Sequence, residues 1–223
     1  MKRGWLHNDK TFDRLVTILV VLILISIFYP LYFVVIASIS NPDLVSAGKV
    51  WFWPKGLSFE GYEFILKDVR ILRGYLNTII YTGGGTLLAL VLTIPAGYAL
   101  SRKDLKGSKL IMLFFVFTMY FGGGLIPMYL VVKQLGLIDT RAVLIVLGSF
   151  SVFNLIITRS FYLNTMPREL QEAAEVDGCN IFQYFFYVVL PLSKSIIAVI
   201  GLYYAVNHWN SFFNGLIYIN NVK

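Results

Sequence analysis

The chain has 223 residues, 57% of them hydrophobic and only 14% charged, with a net charge of +7 and a single cysteine, Cys179. Soluble domains carry roughly 25% charged residues, so this composition excludes an ordinary soluble fold, and the lone thiol excludes an intrachain disulfide framework. The basic residues gather at the ends of apolar runs rather than along one face, which fits orientation in a bilayer and argues against a nucleic-acid surface.

Five apolar runs approach or exceed the roughly 17–25 residues that a tilted spanning helix needs. The first, Arg14–Ser38, follows Lys2, Arg3, Lys10 and Arg14 and is too long for the apolar region of a cleaved signal peptide. The second is Tyr75–Ser101, in which Pro95 predicts a kink, and the third is Leu110–Val132. Ala142–Leu163 and Ser195–Ile219 complete the set. Short loops rich in Lys and Arg stay on the cytoplasmic side. Arg102, Lys103, Lys106 and Lys109 therefore place the second loop inside, together with the N-terminus (1–13) and the 165–194 loop. Asn41–Gly74 and Lys133–Arg141 fall outside. The predicted organisation is a first spanning helix at 14–38, an outer loop at 41–74 and an all-α membrane core at 75–223.

The 165–194 loop reads as two short helices joined by a bend. Pro167 suits a first helical position, and Glu169 and Glu172 lie near the positive end of that helix. Gly178 stands where a left-handed residue ends a helix, and Asn180 with Gln183 predicts a capping box for the next. Ile181, Phe182, Phe185, Phe186 and Val189 carry that helix to Pro191, which stops or kinks it. Ala173 and Ala174 have no bulk to hold off a partner surface, while Glu172, Glu175 and Asp177 offer carboxylates to basic groups. An amphipathic helix lying on the membrane is the plainer alternative, but an anionic leaflet repels an acidic face.

The spacing of Glu172, Ala173, Ala174, Asp177, Gly178, Leu190 and Pro191 resembles the EAA coupling signature of ABC importer permeases. Ile94–Arg102, Gly123–Pro127, Leu135–Leu137 and Trp209–Phe213 are similar to members of the maltose-type carbohydrate-uptake family, in particular the subgroup that imports oligosaccharides derived from polysaccharides. Cys179 and Ser195 depart from it, standing where the family usually has alanine and frequently has proline. The resemblance implies the type I (MetI-like) transmembrane fold, with five spans here, a sixth expected, and the chain apparently truncated before the last helix. It also implies a bacterial cytoplasmic membrane, a second homologous permease, two ATPase subunits on the EAA loops, an extracytoplasmic solute-binding protein and an oligosaccharide substrate.

The remaining motifs are negative. No phosphate-binding G-x-x-x-x-G-K-[ST] loop, H-E-x-x-H pair or G-x-S-x-G elbow occurs, and His7 and His208 alone make no metal site. The chain is thus expected to be a transport subunit rather than an enzyme, binding no cofactor itself, with ATP and Mg on the partner ATPase. The spans hold no Asp or Glu to carry a coupled proton, which disfavours a secondary sugar transporter. A membrane scaffold that recruits a cytosolic partner remains the other reading.

Polar residues within the spans are the candidate substrate path. Asn207, Asn210 and Asn214 share a helical face by their spacing, with Trp209 off it, and Tyr120 and Asn154 are further candidates. Amides and aromatic rings suit sugar hydroxyls and pyranose faces, while hydrogen bonding between helices is the alternative for each. Gly83–Gly85 and Gly122–Gly124 allow either close packing or bending, and Arg159 is expected to snorkel to the interface.

Overall fold

A computed structural model describes residues 9–220, and the candidate residues Lys2, Arg3 and His7 lie outside that range. Among the described residues no β-strand occurs, only an isolated bridge between Ser40 and Leu57. The chain divides at Arg73/Gly74 into two compact units.

In the first unit, α1 (Asp9–Ser38) runs through Pro30 and keeps its apolar window unburied, as a helix surrounded by lipid does. It begins five residues before the apolar run. Two short helices follow, α2 (Pro42–Ser46), capped by the Asn41 side chain on the Asp43 amide, and α3 (Glu60–Lys67). The expected outer loop is therefore partly helical. Ile36, Ser40 and Val50 are its buried side chains among the described residues.

α4 (Val69–Ser101) starts six residues earlier than the apolar run and continues through Pro95 without a break. From Gly74 onward it is the hub of the second unit. Its Ala89 packs with Ile196, Ile200 and Tyr204 of α12 (Lys194–Trp209). Leu100 packs with Met112 of α5 (Ser108–Tyr120) and Leu155 of α8 (Val152–Thr165). Lipid removes most of the hydrophobic drive between helices, so close approach must supply the attraction. Gly97 provides it: a Cβ there would stand 2.5 Å from Thr158 Cγ2. Gly85 does the same against the ring of buried His208, at 2.4 Å.

Three of the five expected spans are broken. The third consists of α5 and α6 (Leu125–Gln134), bent by 112° at the Phe121–Gly124 link, where Gly124 has φ +82°. The two glycine triplets therefore divide the expected roles, Gly84 and Gly85 packing against Ile145 and His208 and Gly122–Gly124 bending. The fourth is α7 (Arg141–Val146) and α8, separated at Leu147–Ser151, where Gly148 has φ +89°. The fifth is α12 and α13 (Phe212–Tyr218), separated at Asn210–Ser211. Hydropathy cannot register these breaks, because each link is only two to five residues long and is averaged into the apolar residues on either side. Val132, Val143, Leu144 and Tyr218 bring α6, α7 and α13 together in a cluster of their own.

Candidate functional site: a hinged knob and a polar cleft

The knob is built by local rules. Pro167 sits one residue ahead of α9 (Arg168–Val176) in extended conformation, rather than at the first helical position as expected, because the extended Met166 and Pro167 make the turn from α8. At the other end Gly178 has φ +78°, its N–H bonds Glu175 O at 3.1 Å, and Cys179 N–H bonds Ala174 O at 2.9 Å. This paired closure needs a left-handed residue at its centre. Asn180 then caps α10 (Ile181–Tyr184): its Oδ1 accepts from Gln183 N and Gln183 Oε1 accepts from Asn180 N, both at 2.9 Å.

Pro191 does not stop the second helix. Residues Phe185–Val189 widen into a π-helical turn, α11 (Leu190–Leu192) continues through the proline, and the 77° bend comes at Ser193. A proline ring presses on the carbonyl four residues back, here Tyr187 inside the wide turn, so local unwinding accommodates it. Ser193 is fully buried and donates to Val189 O at 2.5 Å.

Of the predicted coupling residues, Glu172, Ala173, Asp177, Gly178 and Pro191 are exposed and Leu190 is half-buried. Ala174 corrects the expectation. It is buried in a cluster with Ile94 and Tyr98 of α4, Tyr162 of α8, and Tyr184, Phe185 and Val189. Its small size brings the knob against its own chain rather than admitting a partner. α9 is thus rooted directly on the ends of two long helices.

A polar cleft of about 650 Å³ flanks this root. Arg102 closes one wall, donating Nε to Asp104 Oδ1 at 2.9 Å, Nη2 to Asp104 Oδ2 at 2.6 Å and Nη1 to the Tyr98 hydroxyl at 3.2 Å. The Asp104 carboxylate raises the guanidinium pKa above its ordinary value. Burial pushes the Tyr184 hydroxyl up, with Tyr98 adding to it. Nearby, Arg159 Nε donates to Leu100 O at 2.9 Å. Instead of snorkelling, Arg159 caps the carbonyl end of α4, where a cation is favoured.

The second cavity, about 730 Å³, opens between α8 and α12. It brings together Asn154, Asn207 and Asn210 with Tyr203, Tyr204 and Ser151. Asn214, Trp209 and Tyr120 do not line it. Asn214 leaves the stripe because α12 ends at Trp209, so the spacing from Asn210 to Asn214 crosses a break rather than a helical turn. Asn210 Nδ2 donates to Val206 O at 2.8 Å, and Asn154 is buried, whereas Asn207 is exposed to the cleft. Behind the wall, Tyr204 OH pairs with buried Thr93 Oγ1 at 2.8 Å and accepts from Ser151 N at 3.0 Å, joining α4, α8 and α12. Sequence reasoning missed these tyrosines. The signal was present, since Tyr203 and Tyr204 lie one turn before Asn207.

A broken membrane core with a hinged two-helix knob has clear relatives. Residues 89–222 match the family described as the binding-protein-dependent transport system inner membrane component. The chain belongs to this family. It is 37% identical over 214 residues to the polygalacturonan/rhamnogalacturonan transport system permease protein YtcP of Bacillus subtilis, covering 96% of this chain and 74% of the relative. Protein LplC of the same organism is 38% identical over 192 residues, covering 86% of this chain and 65% of LplC. The crystal structure of a bacterial ABC transporter that imports the acidic polysaccharide alginate superposes with a TM-score of 0.85 at 31% identity, over 94% of this chain and 74% of that one. The permease is therefore a multi-pass inner-membrane transport subunit of ABC importer architecture, and it works with a binding protein and an ATPase.

Proposed function

We propose that this permease is one of two homologous permease subunits of an ATP-driven importer for an oligosaccharide. Its N-terminus and the 165–194 knob face the cytoplasm. Two ATPase subunits, which hold the ATP and Mg, dock on Glu172, Ala173, Asp177 and the Gly178 hinge, while a solute-binding protein delivers sugar from outside. The observation that carries this reading is the root of the knob. Ala174, Tyr184, Phe185 and Val189 pack on Ile94 and Tyr98 of α4 and Tyr162 of α8, so a displacement of α9 cannot leave those helices still. Close-packed interfaces transmit strain rather than absorb it, and the motion would switch the Asn207 cleft between the two sides by alternating access.

The cleft between α8 and α12 supports a carbohydrate substrate. Amides from Asn154, Asn207 and Asn210 stand beside the rings of Tyr203 and Tyr204, which suits hydroxyls and pyranose faces together. Reconstituting the chain with its paired permease and ATPase tests the reading. Sugar-loaded binding protein is expected to stimulate ATP hydrolysis. Asn207→Leu and Asn210→Leu are expected to lower uptake at limiting sugar while keeping basal hydrolysis, each lost hydrogen bond costing about 0.5–1.5 kcal/mol. A scaffold gives no stimulation, and a secondary carrier transports without nucleotide. Either result overturns the proposal.

A further inference from the structure

The loop after α2 carries Lys49-Val50-Trp51-Phe52-Trp53-Pro54-Lys55, whose three rings remain 61–76% exposed. Such a cluster is unusual unless something apolar covers it. The loop is not free to choose its surroundings. Tyr29 OH donates to Trp51 O at 3.3 Å, Tyr32 OH donates to Phe52 O, and the Tyr29 and Phe52 rings lie 5.6 Å apart. Trp51 Nε1 donates to Gly48 O at 2.7 Å, which satisfies its polar edge within the loop. Val50 is buried, so the turn is held from both sides. The aromatic triplet is therefore folded back along α1 at the level of Tyr29 and Tyr32, instead of projecting past its end at Ser38.

That level is informative. At 1.5 Å per residue, Tyr29 and Tyr32 stand about 22 and 27 Å along α1 from Arg14, the last charged residue before the apolar run. The hydrocarbon core of a bilayer is about 30 Å thick. With Arg14 at one interface, the two tyrosines and the rings tethered to them arrive just inside the other. There, ring-bearing side chains are favoured over both water and hydrocarbon. Lys49 and Lys55, both exposed, bracket the rings and suit phosphate headgroups.

We infer that Trp51-Phe52-Trp53 is a membrane-docking element that inserts its rings into the headgroup–acyl boundary of the leaflet at the far end of α1. The partner is the lipid surface. The apolar surface of α1 passes into the rings without a gap, since the same tyrosines belong to both.

Tryptophan emission in phosphatidylcholine vesicles tests this on the full chain carrying Trp5→Phe, Trp51→Phe and Trp209→Phe, which leaves Trp53 as reporter. The expected result is strong quenching by lipids brominated near the glycerol end of the acyl chain, weaker quenching by bromine near the bilayer centre, and protection from aqueous iodide. Quenching by iodide with insensitivity to bromolipid overturns the inference, because the loop is then in water. Insensitivity to both quenchers also overturns it, because protein then covers the rings. If the triple variant fails to insert, a spin label at Phe52→Cys in a Cys179→Ser chain decides. Relaxation by oxygen above that by a water-soluble nickel chelate supports the docking, and the reverse order overturns it.

Discussion

Gly178 offers the sharpest test of the knob. Its φ of +78° is one that L side chains resist, yet no atom lies within 4 Å of where a Cβ would stand. Any penalty at this position is therefore conformational and not a clash. Valine in that backbone region costs on the order of 1–3 kcal/mol, and every 1.4 kcal/mol is roughly tenfold in the population of the hinged form. Asparagine visits the same region at little cost. The series Gly178→Asn, Gly178→Ala and Gly178→Val should therefore grade from near wild type to severely uncoupled, with sugar-stimulated ATP hydrolysis in the reconstituted complex as the readout and membrane insertion unchanged. Wild-type stimulation by Gly178→Val refutes the hinge. Equal loss in the asparagine and valine variants refutes the conformational account, since side-chain bulk at the partner surface would then explain both.

Gly97→Ala is expected to lower thermal stability in detergent by about 1–3 kcal/mol through overpacking against Thr158. Thr158→Ser removes the methyl at 2.5 Å and should restore part of it; no rescue means the clash lies elsewhere. Tyr204→Phe leaves the Thr93 hydroxyl and the Ser151 amide without their partner, for a loss of about 1–3 kcal/mol by the same measurement. An unchanged melting temperature would show that neither bond holds the helices. The Asp68 carboxylate caps the start of α4 through Arg70 N at 2.9 Å, and its side-chain hydrogen bond with Arg70 depresses its pKa. A depressed carboxylate stabilises above its unfolded value near 3.9 and loses that contribution as pH falls through the lower folded value. Protection of the amides in the first turn of α4, taken as exchange relative to the intrinsic rate at each pH, should therefore fall below about pH 4 in the wild type, and be already low and unchanged by this pH step in Asp68→Ala, which lacks the cap.

The sequence by itself determined whatever depends on neighbours along the chain. The left-handed closure at Gly178 and the reciprocal cap of Asn180 and Gln183 are decided within a few residues, so their chemistry is readable without the rest of the fold. The apolar runs similarly fixed that the chain lies in a membrane. The tertiary structure decided what those elements face. A hydropathy reading sums transfer preferences and is blind to backbone direction, so it joined α5 to α6 across a 112° bend and α12 to α13 across a break that takes Asn214 out of the stripe. Spacing placed Ala174 on a helix face but could not say which surface would meet it, and packing turned it inward onto Tyr98 and Val189. Arg159 looked like a snorkelling side chain until α4 brought an unpaired terminal carbonyl within 2.9 Å. In each case the deciding partner is far away in sequence, and within lipid it is close packing and hydrogen bonding between helices, not burial from water, that selects it.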